Sequence, residues 1–257
     1  MLPTLQIGPL SAQTHLLIIL IGFVIASSVA EKSAYKFNID ANMLSNLILL
    51  ILIAGILGAR VGYILKYPSV FLENPLAIFS LNPVMLNGDS GYLFGFLVGF
   101  YYGQKHEMRF WQILDALTPF FAVMTIAISL SHLASGSHYG IPMKNGWGIQ
   151  LYGELRYPTQ IYELLFALLI TSIIWPSKPR GKDSGNILDL YGLTALTFAL
   201  MVSVAQIIIA TYRADMGSII GVLRFSQVGW WLIMVFCLVL IHKKLQEASE
   251  KIESTTI

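Results

Sequence analysis

The chain has 257 residues, 56% of them hydrophobic and 12% charged, with a formal net charge of +2. Soluble domains carry about a quarter of their residues as Asp, Glu, Lys or Arg, so this balance excludes an ordinary water-soluble core and points to lipid. The small net charge and the lack of an Arg/Lys stripe interleaved with aromatics exclude a nucleic-acid partner.

Residues 1–13 contain no Lys or Arg, so the chain does not open on the basic start of a secretory signal peptide. A helix needs about 20 mostly apolar residues to cross the hydrocarbon. Seven stretches approach that length: 14–30, 43–65, 91–102 extended back to about 85, 111–133, 159–175, 187–212 and 227–241. They predict an all-α polytopic membrane protein, with one helical membrane domain over 1–242 and a short polar tail over 243–257. The basic residues orient it. With the N-terminus outside, segments 31–41, 103–110, 176–186 and the tail from 242 lie inside. These hold ten of the 16 basic residues, and the outer segments hold four: Lys144, Arg156, Arg213 and Arg224. The C-terminus is then cytoplasmic.

Charge within a span costs at least a few kcal/mol, so it normally has a partner or a task. Arg60 lies within the second span, and Asp89 and Ser90 open the third. His132 closes the fourth, Glu163 begins the fifth, and Arg213 and Asp215 end the sixth. On the predicted topology all lie toward the outer ends. Scattered along the chain, they predict one polar cavity at outer-leaflet depth. Arginines there suit an anionic phospholipid headgroup, because guanidinium binds phosphate in a fork. Gly91, Gly95, Gly99 and Gly103 share one helix face and predict close helix packing. Cys237 stands alone in an apolar run, and no two histidines have helical i, i+4 spacing. The sequence therefore predicts no disulfide, no metal and no cofactor.

The segment Arg156-Tyr157-Pro158-Thr159-Gln160-Ile161-Tyr162-Glu163 resembles a signature of the prolipoprotein diacylglyceryl transferases, seven-span enzymes of the bacterial cytoplasmic membrane. That signature reads Arg-His-Pro-Ser-Gln-Leu-Tyr-Glu. Gly58-Ala59-Arg60-Val61-Gly62-Tyr63 is similar to the family's Gly-Ala-Arg-Leu-Gly-Tyr. Gly136-Ser137-His138-Tyr139-Gly140 followed by Trp147 resembles its Gly-Glu-Leu-Tyr-Gly and later Pro-Trp. Arg213-Ala214-Asp215 and Ser226-Gln227 resemble its Arg-x-Pro-Asp and Gly-Gln. The matches run in order through most of the chain. Where the family carries its His-Gly-Gly, Gly-Arg-x-Gly-Asn and Glu signatures, this chain has Ser90-Gly91-Tyr92, Ser129, His132 and Ser137.

The resemblance implies transfer of diacylglycerol from phosphatidylglycerol to a cysteine thiol of a lipoprotein precursor. That reaction needs a thiolate and cationic stabilisation of a departing phosphate. On this reading His132 is the base and Arg213 stabilises the phosphate, helped by Arg60 and Arg156. Asp89 or Glu163 orients an imidazole, and His15 is a second candidate base. Tyr63, Ser90, Gln160, Asp215 and Gln227 complete the implied substrate site. The substitutions leave an alternative: a catalytically impaired relative that binds anionic phospholipid or lipoprotein as a partner protein.

Overall fold

The computed structural model describes residues 4–7, 10–80, 82–175, 190–215, 219–220 and 223–256. Segment 176–186, with Lys178, Arg180 and Lys182, lies outside these residues, as do residues 187–189 of the expected sixth span and the side chains of Arg224 and Lys251.

Among the described residues, eight α-helices carry the fold. They are α1 (Thr14–Ser33), α2 (Ala41–Lys66), the short α3 (Pro68–Glu73), α4 (Gly88–Lys105), α5 (Phe110–Ser135), α6 (Thr159–Ile174), α7 (Leu193–Tyr212) and α8 (Phe225–Thr256). Small antiparallel hairpins join or precede them: β1 (Thr4–Ile7) with β2 (Leu10–Gln13), β3 (Ile149–Leu151) with β4 (Glu154–Arg156), and β5 (Ile219–Ile220) with β6 (Leu223–Arg224). Among the described residues, five helices are long and apolar enough to cross a membrane: Thr14–Phe37, Ala41–Lys66, Phe110–Ser135, Leu193–Tyr212 and Ser226–Glu250. The 16-residue α6 is apolar but shorter, and α4 has the length but not the apolar density. Large apolar side chains such as Leu20, Ile21, Leu57, Leu232 and Phe236 face outward, which suits a lipid surface.

Capping explains several boundaries. Asp40 accepts a hydrogen bond from the Met43 N–H at the start of α2, and Asn87 accepts one from Ser90 N–H at the start of α4. Gly136, at φ 76°, ends α5 in the left-handed conformation that glycine adopts without strain. The start of α7 is capped from another helix. The fully buried Asp115 of α5 accepts hydrogen bonds from the backbone N–H groups of Gly192 and Ala195, at 2.6 and 2.9 Å. Lys244 of α8 donates to the Tyr191 carbonyl and lies over the Trp111 ring, so α5, α7 and α8 are tied at this end. The last helix runs to Thr256 rather than stopping near 241. The tail is rich in Lys, Glu, Gln and Ala, which favour helix, and Lys244 anchors it.

The α5 helix is the hub. Half of its most apolar stretch is buried, against 6–28% for the other four long helices. It packs against α1, α6 and α7, while α4 packs on α2. The glycine face of α4 does allow close approach: a Cβ on Gly91 would sit 2.9 Å from the Gly55 carbonyl oxygen. Between the α2–α4 pair and α5 lies an apolar cavity of about 600 Å³, lined by Ile51, Gly95, Phe96, Phe100, Leu117 and Phe121 among others.

The α1–α5 and α2–α4 contacts both depend on small residues. A Cβ on Gly22 would overlap Ala127, whereas nothing lies within 4 Å of one on Gly229. Gly22→Leu and Gly91→Leu should each cost about 1–3 kcal/mol through overpacking. Thermal unfolding in detergent, followed by intrinsic fluorescence, should show both midpoints falling and Gly229→Ala unchanged.

Candidate active site

The most specific motif in the sequence folds into a clamp. Residues 156–163 run from the end of β4 into the first turns of α6, and the turn they grip is 137–140, just after α5. Arg156 donates to the carbonyls of Gly140 and Leu151, pairs with Glu154 at 2.6 Å, and lies over the Tyr139 ring. Thr159 Oγ1 donates to the His138 carbonyl at 2.6 Å, and Gln160 Nε2 donates to the Ser137 carbonyl at 3.0 Å. Thr159 and Gln160 are fully buried. The segment 139–143 also pairs as extended backbone with 212–214 on one side and 155–157 on the other.

One turn further along α6 stands Glu163, its side chain only 4% exposed. His132 Nδ1 lies 2.8 Å from Glu163 Oε2, and His138 Nδ1 lies 3.0 Å from Oε1. An ionised carboxylate only accepts, so both imidazoles donate Nδ1–H to it. Their rings stack at 3.5 Å between centroids and 28° between planes. Arg213, buried at the end of α7, brings Nη1 to 3.6 Å from Glu163 Oε1. Its other edge is held by Asp215 through two hydrogen bonds of 2.9 Å. Burial opposes charge on Asp215, but the Arg213 guanidinium more than offsets this and holds the carboxyl below the usual carboxylate range.

His132, Glu163, Arg213 and Asp215 thus meet, from three helices, at one point. His138 completes the cluster and was not among the expected site residues. It lies in the Gly136–Gly140 motif segment, but its approach to His132 depends on a backbone at φ 57° that no periodicity encodes. The other expected residues do not join this cluster. Arg60 donates to the carbonyls of Ala77, Ile78 and Met85, holding the loop before α4. Tyr63 packs with Tyr67 and Phe71. Ser90 bonds Asn87 and fills the space above Gly62, while Asp89 is exposed in the first turn of α4. The buried Gln227 reaches the Ile207 carbonyl at 3.4 Å. His132, His138 and Glu163 offer donor atoms within 4.8 Å of one another. The neighbouring Arg213 already supplies a cation there, which favours an acid–base cluster.

A family model described as prolipoprotein diacylglyceryl transferase matches residues 3–243. The chain belongs to that family. A relative named phosphatidylglycerol–prolipoprotein diacylglyceryl transferase from Bordetella parapertussis is 28% identical over 205 residues, 76% of this chain and 78% of that protein. A protein of the same name from Photobacterium profundum is 29% identical over 199 residues, covering 73% and 75%. Another from Caldanaerobacter subterraneus is 23% identical over 251 residues, covering 96% and 95%. The match to the diacylglyceryl transferase family thus runs nearly the length of this chain.

The Asp215–Arg213 pair makes stability depend on acid. A carboxyl whose folded value is depressed contributes above its unfolded value, about 3.9, and the contribution is lost as pH falls through the folded value. Wild-type protein should therefore lose thermal stability more steeply than Asp215→Asn between about pH 5 and pH 3. Parallel melting curves across that range check this.

Proposed function

We propose that this chain is a phosphatidylglycerol:prolipoprotein diacylglyceryl transferase, with phosphatidylglycerol and a lipoprotein precursor as its substrates. The observation that carries the reading is the meeting of Arg213 and a carboxylate-held histidine in a chain that the family model matches over residues 3–243. The proposed setting is the bacterial cytoplasmic membrane. Residues 1–242 form one domain of seven spans, with the N-terminus outside and the 243–257 tail cytoplasmic. The five long apolar helices, together with the shorter α4 and α6, support that count. The bias of basic residues supports the orientation.

In this reading His132 Nε2 takes the proton of the acceptor cysteine. Glu163 accepts from Nδ1–H, fixing the tautomer that leaves Nε2 as the base and stabilising the imidazolium that forms. The sulfur attacks the glyceryl carbon, the bond from that carbon to the bridging phosphate oxygen breaks with its electron pair on the oxygen, and glycerol phosphate leaves. Arg213, held by Asp215, stabilises the charge gathering on the phosphate. The apolar cavity between α2, α4 and α5 supports a lipid substrate, since its lining offers acyl chains a surface like their own. Arg60, Tyr63, Asp89, Ser90, Arg156, Gln160 and Gln227 shape the substrate site from around this centre. Arg60 and Arg156 do so by holding loop and hairpin backbone.

Purified protein in phosphatidylglycerol micelles, given a lipobox peptide, should produce a thioether-linked diacylglyceryl peptide detectable by mass spectrometry. Arg213→Ala should lower kcat about 100- to 1,000-fold. His132→Gln should lower it by at least about 100-fold. A well-folded wild type that leaves the peptide unmodified, while retaining phosphatidylglycerol, would instead favour the impaired, lipid-binding reading.

A further inference from the structure

We infer that His138 is a second catalytic residue, which protonates the departing phosphate while His132 takes the proton of the thiol. This inference rests on the transferase reading and deepens it.

The geometry divides the site in two. Glu163 Oε2 holds His132. Glu163 Oε1 is shared by His138 at 3.0 Å and Arg213 Nη1 at 3.6 Å. A phosphate bound beside Arg213 therefore lies on the His138 side of the carboxylate, and the thiol approaches from the His132 side. Both imidazoles donate Nδ1–H to Glu163, so each presents Nε2 for chemistry. Among the described residues neither Nε2 has a hydrogen-bond partner. The rings are 20% and 30% exposed beside a carboxylate that is 4% exposed, so substrate can reach them while Glu163 stays dry.

His138 is placed with care. Its backbone, at φ 57°, lies in the left-handed region, which costs a non-glycine residue about 1 kcal/mol or more. Two fully buried side chains of α6 hold that turn: Thr159 through the His138 carbonyl and Gln160 through the Ser137 carbonyl. A surface histidine needs no such restraint.

Charge sets the proton count. Glu163 and Asp215 are anionic and Arg213 is cationic, so two neutral imidazoles leave the cluster at one net negative charge. That cluster repels a phosphodiester. One imidazolium neutralises it, but a second would set two cations face to face at the 3.5 Å stacking distance. Among the described residues, Arg156 is paired with Glu154, and Arg60 is turned to loop carbonyls. The proposed step therefore starts with one proton beyond the two Nδ1–H, placed on His138 Nε2.

The step then balances. His132 Nε2 accepts the thiol proton as the sulfur–carbon bond forms. The carbon–oxygen bond breaks with its electron pair on the phosphate oxygen. The His138 imidazolium passes its Nε2 proton to that phosphate, which leaves as a glycerol phosphate monoanion. Exchange with water at the exposed rings returns the proton from His132 to His138.

The test compares two donors in micelles with the full chain: phosphatidylglycerol, and a 1,2-diacylglycerol 3-sulfonate ester, whose sulfonate leaves without protonation. Wild type should use both. His138→Gln should lose about 100-fold in kcat on phosphatidylglycerol with KM within about threefold, yet stay within about threefold of wild type on the sulfonate. His132→Gln should lose turnover on both. A merely structural role for His138 would depress both donors alike, and that result overturns the inference, as does full activity of His138→Gln on phosphatidylglycerol. Loss of wild-type turnover on chelation, restored by zinc, would also overturn it. A folded wild type inert toward phosphatidylglycerol overturns the transferase reading itself, which the other outcomes leave standing.

Discussion

A carboxylate removed from water must find donors, and the site is arranged around that demand. Glu163 is the buried charge of α6, and two imidazoles and a guanidinium converge on it. Leaving it without them would cost about 3–5 kcal/mol, so the ends of α5, α6 and α7 cannot drift apart. The same demand aligns the imidazoles, since an acceptor-only carboxylate requires Nδ1–H from each. Stability and chemical readiness thus come from one group.

The segment that leads into Glu163 serves the same end. Arg156, Thr159 and Gln160 each bond a carbonyl of the 137–140 turn. These are backbone contacts, so they position the turn whatever its side chains are. That turn differs from the family signature, with Ser137 and His138 in place of Glu and Leu. A clamp that grips backbone tolerates such changes, and a new side chain can enter the site without loss of the fold.

Charge near one end of a helical bundle has two kinds of use here. Arg213 faces another ionised side chain across the site. Arg60 instead donates to carbonyls of the loop before α4, and Arg156 donates to the Gly140 and Leu151 carbonyls while pairing with the exposed Glu154. At the opposite end Asp115 and Lys244 do comparable work for the start of α7. The apolar cavity lies between the α2–α4 pair and the hub helix α5, its lining running from Leu86 and Gly88 at one end to Met108 and Phe110 at the other.

The sequence by itself determined the helical segments and where most of them end. The stretch 43–65 became Ala41–Lys66 and 111–133 became Phe110–Ser135. Hydropathy is a property along the chain, and lipid demands long apolar runs whose limits are marked by caps such as Asp40 and Gly136. The sequence also singled out Glu163, His132 and Arg213, because charge in apolar runs is rare enough to be noticed. Only the tertiary structure decided which of these meet. His132 and His138 are six residues apart, a spacing that shares no helix face, and two left-handed residues at the end of α5 bring their rings together. From sequence, Arg213 ranked first, and Arg60 and Arg156 had supporting roles on the same phosphate. Which of them joins the Glu163 cluster and which hold loop and hairpin backbone depends on how helices and loops pack, and packing is set by contacts between residues far apart in the chain.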